Sequence, residues 1–134
     1  MDVSARSTST RSYTKDSFSV PTVLLRLEGA TLMLGSAVVY FALGGGWLLF
    51  ALLLLAPDVA MLGYLFGKGA GAYVYNLFHS YPLPAALLAF GSFAGQPLAV
   101  SVALIWFAHI GMDRAVGYGL KYASGFKDTH LNRV

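Results

Sequence analysis

Four long apolar segments, separated by short glycine-rich breaks, constrain this chain more than any other feature. They span residues 22–43, 46–66, 70–90 and 96–121. A helix needs about 20 apolar residues to cross the hydrocarbon core of a bilayer, and each segment reaches that length. Breaks this short favour antiparallel neighbours. The sequence therefore predicts an all-α fold, an integral membrane four-helix bundle with up-down topology.

The composition agrees with a membrane protein. Hydrophobic residues make up 57% of the chain and charged residues only 11%, whereas a soluble domain has roughly a quarter of its residues charged. The absence of cysteine excludes disulfides and thiolate metal sites. The net charge of +3 is modest, and the basic residues have a topological explanation, so no nucleic-acid partner is expected.

The chain divides into three parts. Residues 1–21 form a polar arm rich in serine and threonine, which is predicted to be disordered. Residues 22–121 hold the bundle, and residues 122–134 form a short polar tail. Basic residues occur before the first segment, in the second break and after the fourth segment: Arg6, Arg11, Lys15, Lys68, Lys121, Lys127 and Arg133. Since lysine and arginine are in excess on the cytoplasmic side, both termini are predicted to be cytoplasmic.

Ionisable residues in the apolar segments point to a functional site. Ionisable groups inside a membrane are costly and usually mark function or a specific structural pair. Counted at about 1.5 Å per residue, they all lie in the cytoplasmic half of the predicted bilayer. The set is Glu28, Asp58, His79, His109 and Asp113. Each segment contributes at least one of them, so the sequence predicts a single polar pocket open to the cytoplasm.

The chemistry of these side chains favours a divalent metal. A catalytic metal site needs about three protein ligands and an open position for water. We predict His79, His109 and Asp113 as metal ligands and Glu28 and Asp58 as catalytic carboxylates, one of them acting as general base. This set predicts a metal-dependent hydrolase acting at the cytoplasmic leaflet on an amphipathic substrate.

Further polar residues are candidates for substrate binding. Cationic side chains near the pocket would meet an anionic lipid head group or a phosphate. Residues of the tail could fold back over the pocket as ligands or as a lid, and one amide shares a helix face with His79. The candidates are Asn76, Arg114, Lys121, Lys127, Asp128 and His130.

Two other functions remain open from the sequence. In an oligomeric proton-coupled transporter, Glu28 and Asp58 would bind and release protons, although no polar residue continues a path through the outer half. In a structural or interaction module, the polar groups would pair among themselves and hold the bundle together.

Several motifs resemble one family. They are Leu-Arg-Leu-Glu-Gly at 25–29, Ala-Pro-Asp at 56–58, Tyr-Asn at 75–76 with His79, Ala-His-Ile-Gly-Met-Asp-Arg at 108–114, Gly-Tyr-Gly-Leu-Lys-Tyr at 117–122 and Gly-Phe-Lys-Asp-Thr-His-Leu at 125–131. From about residue 22 to the C-terminus, the chain resembles the small bacterial membrane-protein family catalogued as domain of unknown function 4260. The resemblance implies a multi-span protein of the bacterial inner membrane and carries no activity.

Overall fold

The structure is a computed structural model that describes residues 19–134. The polar arm predicted at residues 1–21 falls almost wholly outside the described residues. The helical elements are α1 (Val20–Ala42), α2 (Trp47–Leu54), a 3-10 helix (Ala56–Phe66), α3 (Lys68–Phe78), α4 (Pro82–Phe93), α5 (Pro97–Val116) and a short 3-10 helix (His130–Asn132). The described part of the chain contains no strand beyond one isolated bridge, so the predicted all-α fold is confirmed.

Three helical stretches are long and apolar enough to cross a membrane. They are Val20–Ala42, Trp47–Phe66 and Pro97–Val116. The third predicted segment differs, because it forms two shorter helices, α3 and α4, instead of one. The break covers residues 79–81, where Pro82 begins the next helix and Pro84 lies in its first turn. Proline has no N–H to donate, so Pro82 and Pro84 cannot continue the hydrogen-bond ladder of α3, which explains the interruption.

The second segment changes its helix type at Pro57. α2 ends at Leu54, and the chain continues as a 3-10 helix from Ala56 to Phe66. Pro57 cannot donate a hydrogen bond to the Leu53 carbonyl, so the α-helical ladder stops there. The 3-10 helix then packs closely against α3, where a Cβ at Gly63 would lie 2.9 Å from the Val74 Cβ. This turn places Asp58 on the side that faces α3 and α5.

α5 is the central helix of the fold, in contact with α1, α2 and α4. Its closest crossing is with α1, where two glycines meet. A Cβ at Gly111 would lie 2.6 Å from the Met33 amide nitrogen and 2.7 Å from the Gly29 carbonyl oxygen. Small residues at such a crossing let two backbones touch. α1 and α5 are therefore in direct backbone contact near the end of α5 that carries the polar residues.

α5 ends earlier than predicted. The fourth segment was expected to remain helical to residue 121, but the helix stops at Val116 because Gly117 adopts a left-handed conformation with φ of 101°. The Tyr118 amide donates to the Asp113 carbonyl at 2.7 Å, and the Gly117 amide donates to the Arg114 carbonyl. This is a Schellman motif, which closes a helix at glycine. His109 and Asp113 consequently lie within two turns of the end of α5.

The C-terminal segment folds back on the helices. Lys121 and Thr129 form an antiparallel bridge, and the His130 amide donates to the Leu120 carbonyl at 3.0 Å. The last residue reaches the start of α1, because the Val134 carbonyl accepts hydrogen bonds from the hydroxyls of Ser19 and Thr22, both at 3.3 Å. The beginning of α1 and the end of the chain therefore lie at the same end of the fold.

Candidate metal centre

Four side chains from three helical elements converge in the structure. Asp58 comes from the 3-10 helix, His79 from the end of α3, and His109 and Asp113 from one face of α5. One potential ligand atom from each residue lies within 4.8 Å of the other three. These are four of the five ionisable residues that the sequence assigned to a single pocket, and they meet at the break in the third segment.

Five of the six distances in this cluster are close to those around a tetrahedral metal. The two histidine Nε2 atoms are 3.0 Å apart. His79 Nε2 lies 3.4 Å from Asp58 Oδ1 and 3.5 Å from Asp113 Oδ2, and His109 Nε2 lies 3.6 and 3.7 Å from the same two oxygens. Ligands about 2.1 Å from a tetrahedral metal are roughly 3.4 Å from one another. An ion at the centre would therefore fit with little movement of the side chains.

The tautomer of His79 is suited to metal binding. Its Nδ1 lies 2.9 Å from the Tyr75 carbonyl oxygen. A carbonyl can only accept, so Nδ1 carries the proton and Nε2 presents a lone pair to the centre of the cluster. A hydrogen bond from the remote ring nitrogen to a carbonyl is the usual way in which proteins orient a metal-binding histidine.

Tyr75 supports two members of the cluster. Its hydroxyl donates to Asp113 Oδ2 at 3.1 Å, and its ring stacks on the His79 imidazole with centroids 3.7 Å apart. Tyr75 is not among the site residues predicted from the sequence. The signal that could have found it is its position four residues before His79, which places both side chains on one helix face.

The four side chains differ in their access to solvent. Those of His79 and His109 are 0% exposed and that of Asp113 is 9% exposed, whereas that of Asp58 is 41% exposed. Asp58 and Asp113 line a cavity of about 580 Å³ that opens beside the cluster. Three of the four side chains are thus buried, and that of Asp58 is accessible from outside the cluster.

Glu28 does not join the cluster. Its side chain is exposed on α1, and it is not among the four residues that meet. At the close crossing of α1 and α5 it is Gly29 that faces α5, and its neighbour Glu28 is exposed. Of the two carboxylates predicted to act in one pocket, the structure therefore brings only Asp58 to the cluster.

Arg114 and Asn76 hold the backbone in place. The Arg114 guanidinium donates to the carbonyls of His79 and Tyr118, both at 3.0 Å. Asn76 donates to the Lys121 carbonyl and accepts from the Lys121 amide, both at 2.7 Å. Both side chains were predicted to bind substrate, but their polar atoms are committed to orienting the cluster and the C-terminal segment.

The two lysines predicted to bind substrate lie in different surroundings. Lys121 is buried and lines the cavity beside Asp58 and Asp113. Burial lowers the pKa of Lys121, while the two carboxylates act in the opposite direction. Lys127 is exposed and does not line this cavity. Of the two, only Lys121 is placed to meet a ligand near the cluster.

Asp128 and His130 stabilise the C-terminal segment instead of reaching the cluster. Asp128 pairs with Arg133, whose Nε donates to it at 2.9 Å, and with the Ser124 hydroxyl. His130 Nδ1 accepts the Leu120 amide at 2.8 Å. Burial, followed by the charge of Arg114, lowers the pKa of His130. The segment does form a wall of the cavity, but through Tyr118, Lys121 and Phe126.

The fold and the cluster together define a class of protein. It is an all-helical protein with several helices able to span a membrane and with a cluster of two histidines and two aspartates, of which all but Asp58 are buried. The chain belongs to the family described as Domain of unknown function (DUF4260), which matches residues 22–134. This confirms the resemblance found in the sequence. No curated protein and no solved structure shows significant similarity to the chain.

Proposed function

We propose that this protein is a divalent-metal-dependent hydrolase embedded in the membrane. The observation that carries the proposal is the convergence of Asp58, His79, His109 and Asp113 at distances suited to a tetrahedral ion. Histidines and carboxylates projecting inward from facing helices are how helical bundles build metal sites.

The difference in exposure supports a division of roles among the four residues. His79, His109 and Asp113 are buried and serve as the permanent ligands, which is the number that a catalytic site needs. Asp58 lies at the cavity mouth and acts as general base. A bound ion would supply Lewis acidity and lower the pKa of a water molecule. Asp58 would accept the proton of the attacking water while the water oxygen forms a bond to the substrate, the ester bond breaks, and the proton passes to the leaving oxygen.

We further propose a four-span topology in the bacterial inner membrane with both termini in the cytoplasm. The broken third segment (α3 and α4) supplies the fourth crossing, and irregular backbone at that depth is tolerated where it is buried in protein. The contact of Val134 with Ser19 and Thr22 supports a common side for the two ends. The excess of basic residues supports the cytoplasmic side. Reporter fusions at each terminus test this topology, and a periplasmic signal from either one would contradict it.

The hydrolase proposal is tested by metal content and activity in parallel. Purified protein should contain about one divalent ion per chain, as a single site with three protein ligands requires. His109→Gln and Asp113→Asn should lose the ion. Asp58→Asn should retain it but hydrolyse ester substrates about 100-fold or more slowly, because the general base is lost. Glu28→Gln should retain the ion, since Glu28 lies outside the cluster.

Two results would contradict the proposal. If the wild type contains no metal after purification in metal-supplemented buffer, the cluster is a hydrogen-bonded structural set in which His109 Nε2–H donates to His79 Nε2. If metal is bound but protein in liposomes conducts protons and hydrolyses nothing, the protein is a transporter.

A further inference from the structure

The cavity beside the cluster is lined by acidic side chains in one part and by apolar side chains in another. On the side of the cluster the cavity is lined by Asp58 and Asp113, and much of the remaining wall is apolar, with side chains such as Met61, Met112 and Val116. Met61 and Val116 are also exposed on the outer surface of the protein. An apolar group bound there would therefore continue from the cavity towards the surroundings of the helices, which for a spanning protein is lipid.

Lys121 is the cation of this cavity. Its ammonium donates to the Phe126 carbonyl at 2.9 Å and lies over the rings of Phe126 and Tyr75, at 3.6 and 4.5 Å from their centroids. Among the described residues, no carboxylate is within ion-pair distance of it. An ammonium has three donors, and the Phe126 carbonyl takes one of them.

The position of Lys121 is fixed by its backbone. Asn76 of α3 makes two hydrogen bonds to the Lys121 main chain, and the bridge to Thr129 holds the segment from the other side. The residue is 5% exposed. Burying a charge is costly unless it is paired. A buried ammonium that faces a cavity without an acidic partner is thus arranged to receive an anion.

The charge of the loaded site indicates which anion. A divalent ion balances the carboxylates of Asp58 and Asp113, which leaves the Lys121 ammonium uncompensated. Lysine is a common phosphate-binding residue that acts as a point charge. A ligand with a phosphate beside the metal and Lys121, and with an alkyl chain along the apolar wall, satisfies both halves of the cavity.

We propose that the substrate is a lipid phosphate ester, held by Lys121 through its phosphate with its alkyl chain on the apolar wall of the cavity. This rests on the proposed metal-dependent hydrolase function. Hydrolysis there forms a bond from the water oxygen to phosphorus, breaks the ester P–O bond and delivers the proton to the leaving alcohol, so no further reactant is needed.

The test measures binding to metal-loaded protein in detergent by calorimetry. Three probes are compared: a short-chain lipid phosphonate that resists hydrolysis, the diglyceride with the same chains, and inorganic phosphate. The phosphonate should bind best. Lys121→Met should weaken its binding about tenfold or more, the value of a lost charge-assisted hydrogen bond, and Lys121→Arg should retain most of it. Lys68→Met is the matched control, because Lys68 is exposed and outside the cavity.

The outcomes separate this inference from the metal centre. Equal affinity for phosphonate and diglyceride, or no effect of Lys121→Met, overturns the lipid phosphate assignment while the metal content of the same samples still supports the hydrolase. Inorganic phosphate binding as tightly as the phosphonate points to a soluble phosphate ester and also overturns it. If Lys121→Met does not fold, as judged by thermal unfolding, the wild type and Lys121→Arg are compared instead. Tighter binding of the phosphonate than of the diglyceride by both proteins supports the lipid phosphate assignment, and equal binding overturns it.

Discussion

The crossing of α1 and α5 at Gly29 can be tested by adding a single methyl group. A Cβ at Gly29 would lie 2.7 Å from the Ala115 amide nitrogen and 2.8 Å from the Gly111 carbonyl oxygen, and it would also overlap the Arg114 Cβ. Heavy atoms in good contact are about 3.5–4.0 Å apart. The two backbones would therefore have to separate by roughly 1 Å to accept alanine.

Gly29→Ala should destabilise the protein and weaken the metal centre together. Overpacking of this kind costs about 1–3 kcal/mol, which for a chain of this size lowers the unfolding temperature by roughly 3 °C or more. The displaced helix carries His109 and Asp113 and, through Arg114, contacts the carbonyl of His79. The assay is thermal unfolding in detergent, with metal affinity measured on the same samples.

Gly35→Ala is the matched control on the same helix. Within the described part of the chain, no atom lies within 4 Å of a Cβ at Gly35, and alanine is favoured over glycine in a helix by up to about 1 kcal/mol. Its unfolding temperature should stay the same or rise, and its metal affinity should not change. If Gly29→Ala and Gly35→Ala unfold at the same temperature, α1 and α5 are not in backbone contact at this point.

Two further predictions concern the surroundings of the cluster. Tyr75→Phe keeps the ring stacked on His79 but removes the hydrogen bond to Asp113, so metal affinity, measured by competitive chelation, should fall about 10–100-fold. Tyr73→Phe is an exposed control and should leave the metal affinity unchanged. If Tyr75→Phe binds metal as tightly as the wild type, the Tyr75 hydroxyl does not support the cluster. The pKa of His130 lies below its unfolded value of 6.5, so the native state binds fewer protons and docking of the C-terminal segment should weaken as pH falls below about 6.5. The Leu120 amide donates to His130, so its protection factor in hydrogen exchange should be lower at pH 5 than at pH 7. The same protection factor at both pH values would contradict this prediction.

The sequence predicted the helices and most of the cluster because both depend on simple physical rules. Apolar runs of about 20 residues specify helices that could span a membrane. Ionisable residues rarely occur in such runs without a partner, which identified Asp58, His79, His109 and Asp113. The i, i+4 spacing of His109 and Asp113 is enough by itself to place both on one face of α5.

Glu28 was misplaced because depth in the bilayer does not define direction. Its distance along α1 is similar to that of the cluster residues on their own segments, but the face that α1 turns to α5 is set by the Gly29–Gly111 contact. Because Glu28 and Gly29 are neighbours on α1, the sequence alone does not determine which of the two faces α5. Only the packing partner decides between them.

The predicted substrate-binding side chains have other partners for a related reason. A polar side chain near a site can contact either a ligand or the backbone, and composition does not distinguish the two. Asn76 and Arg114 form hydrogen bonds with backbone carbonyl and amide groups that have no partner within a helix. Such groups are predictable only once the positions of the helix ends are known.

The break in the third segment and the cluster of Asp58, His79, His109 and Asp113 depend on one another through α5. Ending α3 inside the fold leaves carbonyls that must be satisfied away from water. Trp106 donates to the Phe78 carbonyl at 2.7 Å, and Arg114 donates to that of His79 at 3.0 Å. With His109 and Asp113, these residues lie at the i, i+3, i+7 and i+8 positions of one helix face. The face of α5 that provides two of the four cluster side chains thus also caps the end of α3 next to His79. The interruption before Pro82 is tolerated because α5 supplies the missing hydrogen-bond donors at the position of the cluster.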